Sequence, residues 1–230
     1  MRHRSPTVAA EDPLDCPAHL HALAWLALVA FSALGLAIAA DLGLLALLFG
    51  LDESRVTWMI AALVAAGTAH AAWHVTGCSR RIEAARAALA GAGPTGATPP
   101  GRFVRAWLES AGDAPEELLE LWADRLRGPV DTGWFLVDTT VRLGLLGTIV
   151  GFILIFSSLG GVSIEGAEGL RELLVAMSGG MGTALFTTLA GLVGATLLAV
   201  QYLVLGRATE HLLGTLARCR HRAAPPRPRA

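Results

Sequence analysis

Four apolar runs, at about 22–40, 56–75, 134–159 and 173–205, dominate the chain. Each is close to or beyond the roughly 20 residues that an α-helix needs to cross a bilayer core. No water is available inside lipid to satisfy backbone N–H and C=O groups, so only helices and closed barrels can span it. Runs this long and unbroken predict an all-α integral membrane protein with four transmembrane helices and cytoplasmic helical extensions. The composition agrees: 53% of the residues are hydrophobic and 16% charged, against about 25% charged in an ordinary soluble domain.

Arginine placement sets the expected orientation. Every Lys or Arg position is arginine, and most lie at the termini or between the second and third runs. The two short turns on the other side carry one each, Arg55 and Arg171. The positive-inside rule then predicts that both termini and the central segment are cytoplasmic. In that arrangement Cys16, Cys78 and Cys219 face a reducing compartment, and their spacing matches no metal or redox motif. The formal net charge of −1 argues against a nucleic-acid partner. A cleavable signal peptide competes for the first run, because residues 37–40 are small and apolar. The acidic, proline-containing leader and the run's length disfavour it.

The chain divides into a cytoplasmic tail (1–20), a first transmembrane hairpin (21–78), a cytoplasmic linker with an amphipathic helix (79–132), a core of spans three and four (133–210) and a basic cytoplasmic tail (211–230). Asp41 falls near the far interface, with 42–51 as a helical extension or interfacial turn. Trp58 and Trp73 sit near the ends of the second span, where amphipathic aromatics belong. Residues 91–101, rich in Gly and Pro, predict a flexible linker rather than helix. Beyond them, Asp113 has the character of an N-cap, with Pro115 in the first turn and Glu116 three residues after the cap. Leu118, Leu119, Trp122 and Leu126 recur on one face, and Gly128 with Pro129 is expected to stop or bend the helix. The outer loop, 160–171, is short and mostly acidic. The fourth span exceeds what a bilayer requires, so its end should project into the cytoplasm.

Spans three and four carry the most informative residues. Residues 143–152 read LGLLGTIVGF, and residues 179–191 read GGMGTALFTTLAG. Glycine is unfavourable in a water-exposed helix interior, whereas in a bilayer it lets backbones approach closely. Thr140, Gly144, Thr148, Gly151 and, further round, Ser158 share one side of span three. Gly180, Ala184, Thr187, Gly191 and Gly194 form the matching stripe on span four, with Thr188 about 100° round from Thr187. Two readings are open on residue type alone. The faces are a tight interface in which each threonine bonds back to its own helix, or they are a pore wall.

Residues 143–151 (LGLLGTIVG), followed after a short outer loop by 182–192 (GTALFTTLAGL), resemble the MotA/TolQ/ExbB proton-channel family, over roughly 131–210. The resemblance implies an ExbB-like, four-span member in a bacterial inner membrane. It also implies a pentamer around the transmembrane helices of two single-span partners of the ExbD/TolR/MotB type, which carry the proton-binding aspartate. Proton-motive force would then drive mechanical work in the periplasm. Thr148 matches the threonine of the family's LGLLGT motif, Thr188 the threonine facing it, and Thr187 its neighbour. The same stretches supply the close-packing glycines Gly144, Gly147, Gly151, Gly180 and Gly191. A hydroxyl suits a proton path because it can donate to a carboxylate, accept from a carboxylic acid or hold a water. There are departures. Thr183 stands where TonB-linked members have glutamate, and no proline follows around Leu197 and Leu198. The cytoplasmic segment is about half the length of a flagellar stator's, yet four spans resemble the stator layout more than the three-span one.

Other signals are weaker. Asp138 and Arg142, spaced i,i+4 at the inner end of span three, suit a salt bridge or a proton exit. Asp41 is the one acid well inside an apolar run. His70 and His74 share a helical face but have no carboxylate or cysteine beside them, so no metal site is predicted. No nucleophile–base pair, phosphate loop or cofactor motif occurs, and the sequence predicts neither an enzyme nor a cofactor. A non-conducting tetraspan scaffold and, more distantly, a small-solute transporter are the competing functions.

Overall fold

A computed structural model of the chain describes residues 19–50, 54–90, 98–111, 116–159 and 166–223. The elements are α1 (His19–Asp41), α2 (Leu44–Gly50), α3 (Val56–Leu89), α4 (Pro99–Ala111), α5 (Glu116–Leu159) and α6 (Gly166–Ala223). Four of them, α1, α3, α5 and α6, are long and apolar enough to cross a membrane. The Asp113 cap, Cys16, the Ser158 side chain and the 91–97 part of the linker lie outside the described residues.

The helices run further than the apolar runs that seed them. α3 continues through Arg80, Arg81 and Arg86, and α6 is a single helix of 58 residues. At about 1.5 Å per residue α6 is some 87 Å long, nearly three times a hydrocarbon core of about 30 Å. It begins at Gly166, inside the stretch expected to be loop, and passes well beyond residue 205 into the sequence expected to be a tail.

The linker expectation is overturned at its far end, and of the expected stop or bend at Gly128 and Pro129 the stop does not occur. Pro99, Pro100 and Gly101, assigned to the linker, form the first turn of α4. Thr98 caps it, its hydroxyl accepting from the Gly101 N–H at 3.3 Å. The prolines occupy first-turn positions, whose N–H groups would have no intrahelical partner in any case. Further on, Gly128 and Pro129 do not end a helix: the amphipathic segment and the third span are one 44-residue helix, α5, with Pro129 inside it. The turn around the proline gains a side-chain bond, Thr132 Oγ1 donating to the Gly128 carbonyl at 3.0 Å.

α1 ends at Asp41, and Gly43, at φ +73°, turns the chain into α2. That left-handed geometry is one that glycine adopts without steric cost. Most of α1 is exposed, including Leu26, Phe31 and Leu34, as expected of a helix facing lipid or other subunits.

α3 and α6 lie side by side and run in the same direction, with Gly67 against Leu198, Cys78 against Thr209 and Cys219 against the Ala85 carbonyl. Among the buried positions of α6, Leu198, Tyr202, Leu205, Thr209, Leu212, Leu216 and Cys219 form a series that alternates by four and three. This is the seam spacing of a coiled coil, and it carries the packing out of the bilayer. α4 closes the bundle at that end. Val104 and Trp107 are buried, Trp107 Nε1 donates to the Leu216 carbonyl at 3.4 Å, and Trp122 packs edge-on against both Phe103 and Trp107.

Tyr202 ties three helices together. Its ring fills the space opposite Gly133 on α5, and its hydroxyl donates to the Gly67 carbonyl on α3 at 3.0 Å. With that proton committed, His70 Nδ1, 3.0 Å away, is the donor to the phenol oxygen. Gln201 beside it donates to Thr68 Oγ1 at 3.2 Å. Tyr202→Phe, which keeps the ring and drops both bonds, should destabilise the purified protein by about 1–3 kcal/mol, at about 0.5–1.5 kcal/mol for each, read from its unfolding in mild detergent.

Candidate functional site: the α5–α6 seam

α5 and α6 are antiparallel and in close contact over the glycine motifs. A side chain added at Gly191 would place its Cβ 2.7 Å from the Gly144 Cα, so here backbone meets backbone. One turn along, Gly147 lies under the Thr187 side chain. Beyond it, a Cβ on Gly151 would come within 2.7 Å of both the Ala184 Cβ and the Gly180 carbonyl oxygen. Gly180 in turn takes the Ile155 side chain. The register is therefore 144 with 191, 147 with 187, 151 with 184 and 155 with 180. Thr140 and Gly194 extend the seam towards α3, where Gly194 meets Val64 and Ile60.

The threonines divide between two environments. Thr140, Thr183 and Thr187 are fully buried. Thr187 donates to the Thr183 carbonyl at 2.7 Å and seals the seam over Gly147. Thr148 and Thr188 instead stand half-exposed beside the seam. Thr148 Oγ1 donates to the Leu145 carbonyl at 2.6 Å, and Thr188 Oγ1 lies 3.0 Å from the Ala184 carbonyl and 3.3 Å from the Gly144 carbonyl across the interface. Since 147 faces 187 across antiparallel helices, their successors Thr148 and Thr188 turn to the same side of the seam, within about 3 Å of one another in depth. Around them the surface is apolar and open: Leu145 is 55% exposed, Ile149 56% and Leu185 65%. Two hydroxyls thus stand in an otherwise greasy wall that lipid or another protein must cover.

The remaining candidates fall elsewhere. Asp138 and Arg142 form an exposed ion pair on α5, two to three turns from Thr148 towards the end that carries α4. Asp41 is exposed at the opposite end, on α1. The rings of His70 and His74 touch at a tilt of 52°, with centroids 4.5 Å apart, and His70 is engaged by Tyr202. Among the described residues no group of three His, Cys, Asp or Glu side chains could hold a metal. The Tyr202 cluster was not foreseen from sequence; the only hint was an isolated Gln–Tyr pair late in the fourth apolar run.

A bundle of this kind, with membrane-length helices, a glycine seam and hydroxyls beside it, defines a multi-pass membrane protein with a polar strip in an apolar wall. The model of the MotA/TolQ/ExbB proton channel family matches residues 100–217, just over half of the chain, and the protein belongs to that family. No curated protein and no solved structure matches it.

Proposed function

We propose that this chain is the wall-forming subunit of a proton-driven motor in the bacterial inner membrane. Subunits assemble, as a pentamer, around the transmembrane helices of two single-span partners of the ExbD/TolR/MotB type. The observation that carries this reading is the placement of Thr148 and Thr188 on one side of the seam and at closely similar depth, on a half-exposed apolar face. Residues 139–159 and 173–209 contain no acidic side chain, so a proton-carrying carboxylate at that depth must come from another chain. A hydroxyl can serve that carboxylate in both protonation states, without the cost of a second buried charge.

The arginine-rich ends of α3 and α6 and the start of α5 pack together with α4. This supports a cytoplasmic location for that end, with both termini inside. Protons taken up by the partner's acid would pass the Thr148–Thr188 level and leave near Asp138 and Arg142. Thr187, sealed in the seam, sets the distance between the two helices. A non-conducting scaffold is the competing reading, favoured by the fact that both hydroxyls also bond to carbonyls of their own helices. Native mass measurement of the protein purified with a co-expressed single-span partner separates the two. A five-to-two complex is expected, and a chain that assembles without such a partner would sink the motor reading.

A further inference from the structure

We propose that a cavity between α3, α5 and α6, just beyond the inner ends of the spans, holds the phosphate group of an anionic phospholipid. The cavity measures about 210 Å³, far more than the roughly 10–15 Å³ that one water needs. Its walls include Arg81 from α3 and Arg125 from α5, and no acidic side chain lines it. The Arg81 guanidinium lies over the Phe103 ring, 4.7 Å from its centroid, a stacking that leaves its N–H edges free to bind. Neither arginine has an ion-pair partner among the described residues.

The space itself is built into the sequence. Gly77 contributes no side chain, and a Cβ there would meet nothing within 4 Å. Pro129 lines the opposite wall, in a turn of α5 where a proline removes one backbone donor. This void therefore differs from the tight contacts at the seam glycines. Two guanidiniums at one partly enclosed, acid-free space favour an anion there, and the oxygens of a phosphate diester can accept from guanidinium N–H groups.

Trp73 identifies the anion as a lipid's. It is 79% exposed, lines the same cavity and lies two turns before Arg81 on α3. An indole at the glycerol level with arginines one to two turns further out is the depth profile of a headgroup region. Which leaflet supplies the lipid rests on the orientation proposed above; the pocket and its ligand class do not.

The test uses the purified full-length protein in detergent micelles mixed with phosphatidylglycerol or phosphatidylcholine, counting retained lipids by native mass spectrometry. Wild type should retain phosphatidylglycerol in preference to phosphatidylcholine. Arg125→Gln, which changes an exposed side chain, should lower that retention roughly fivefold. Arg125→Lys should keep most of it. Gly77→Leu should expel the lipid by filling the space while both arginines remain. Retention unchanged in Arg125→Gln and Gly77→Leu would overturn the proposal. So would binding of inorganic phosphate alone with no preference between the two lipids, which would make this a soluble-anion site. Neither proton flow nor a partner enters the measurement, so its failure is separate from a failure of the motor reading.

Discussion

Exchanging Gly191 for alanine should destabilise the protein by about 1–3 kcal/mol, the usual cost of overpacking, and leucine there should prevent the folded bundle from accumulating. The added Cβ would stand 2.7 Å from the Gly144 Cα, and that atom is backbone. A flexible side chain can swing aside; a helix can only move as a whole. Gly144 is constrained from its own side too, though less severely, a Cβ there coming 3.1 Å from the Gly191 Cα. The helices would have to separate along the seam, loosening Thr187 over Gly147 and Ala184 against Gly151 together. Unfolding of the purified protein in mild detergent measures the loss. Gly214→Ala is the control: it is exposed on the part of α6 beyond the span, with nothing within 4 Å of an added Cβ. There alanine should stabilise by about 0.5–1 kcal/mol through helix propensity alone. Equal effects at the two sites would mean that the backbones are not in contact.

The second large effect is on transport. Thr148→Val with Thr188→Val keeps side-chain shape and removes both hydroxyls. The structural cost should stay below about 1 kcal/mol, because interhelical hydrogen bonds of this kind in membranes average about 0.6 kcal/mol and only Thr188 reaches the other helix, at Gly144. A hydrogen bond to a charged group is worth about 1.5–3 kcal/mol, a factor of roughly ten or more in rate if it is lost at the barrier. Proton flux into vesicles carrying the purified complex should therefore fall at least about tenfold, with assembly intact. Serine at both positions should restore much of it. Full flux through the valine pair would show that the hydroxyls serve packing alone.

How much could be read from the chain depended on the kind of signal. Membrane-length apolarity marked four helices, because a span has no alternative way to satisfy its backbone. Where those helices stop was much less legible. A proline removes one intrahelical bond, which at Pro129 predicts a stop or a bend, yet the residues on both sides belong to one amphipathic-to-apolar helix whose packing on α3 and α6 outweighs that loss. Pro99 and Pro100 misled in the opposite sense: at a helix start the missing N–H costs nothing. The extension of α6 follows an alternation by four and three through Thr209, Leu212, Leu216 and Cys219, a pattern obscured by Glu210, His211 and Arg218 between them. At the seam, small-residue spacing could not tell Thr187, sealed under no exposed surface, from Thr188, half-open to the outside. Adjacent positions on a helix point about 100° apart, and the partner helix decides which of them is covered.

From the level of Thr187 to its end at Ala223, α6 continues for 36 residues without interruption, a distance of about 54 Å. Over more than half of that length it is gripped by α3 through a coiled-coil seam. A tilt of about 5° at the threonine level therefore carries the far end roughly 5 Å sideways. The helix that lines the seam is in this sense a lever: a shift too small to open the glycine contacts becomes a displacement as large as a side chain at its far end.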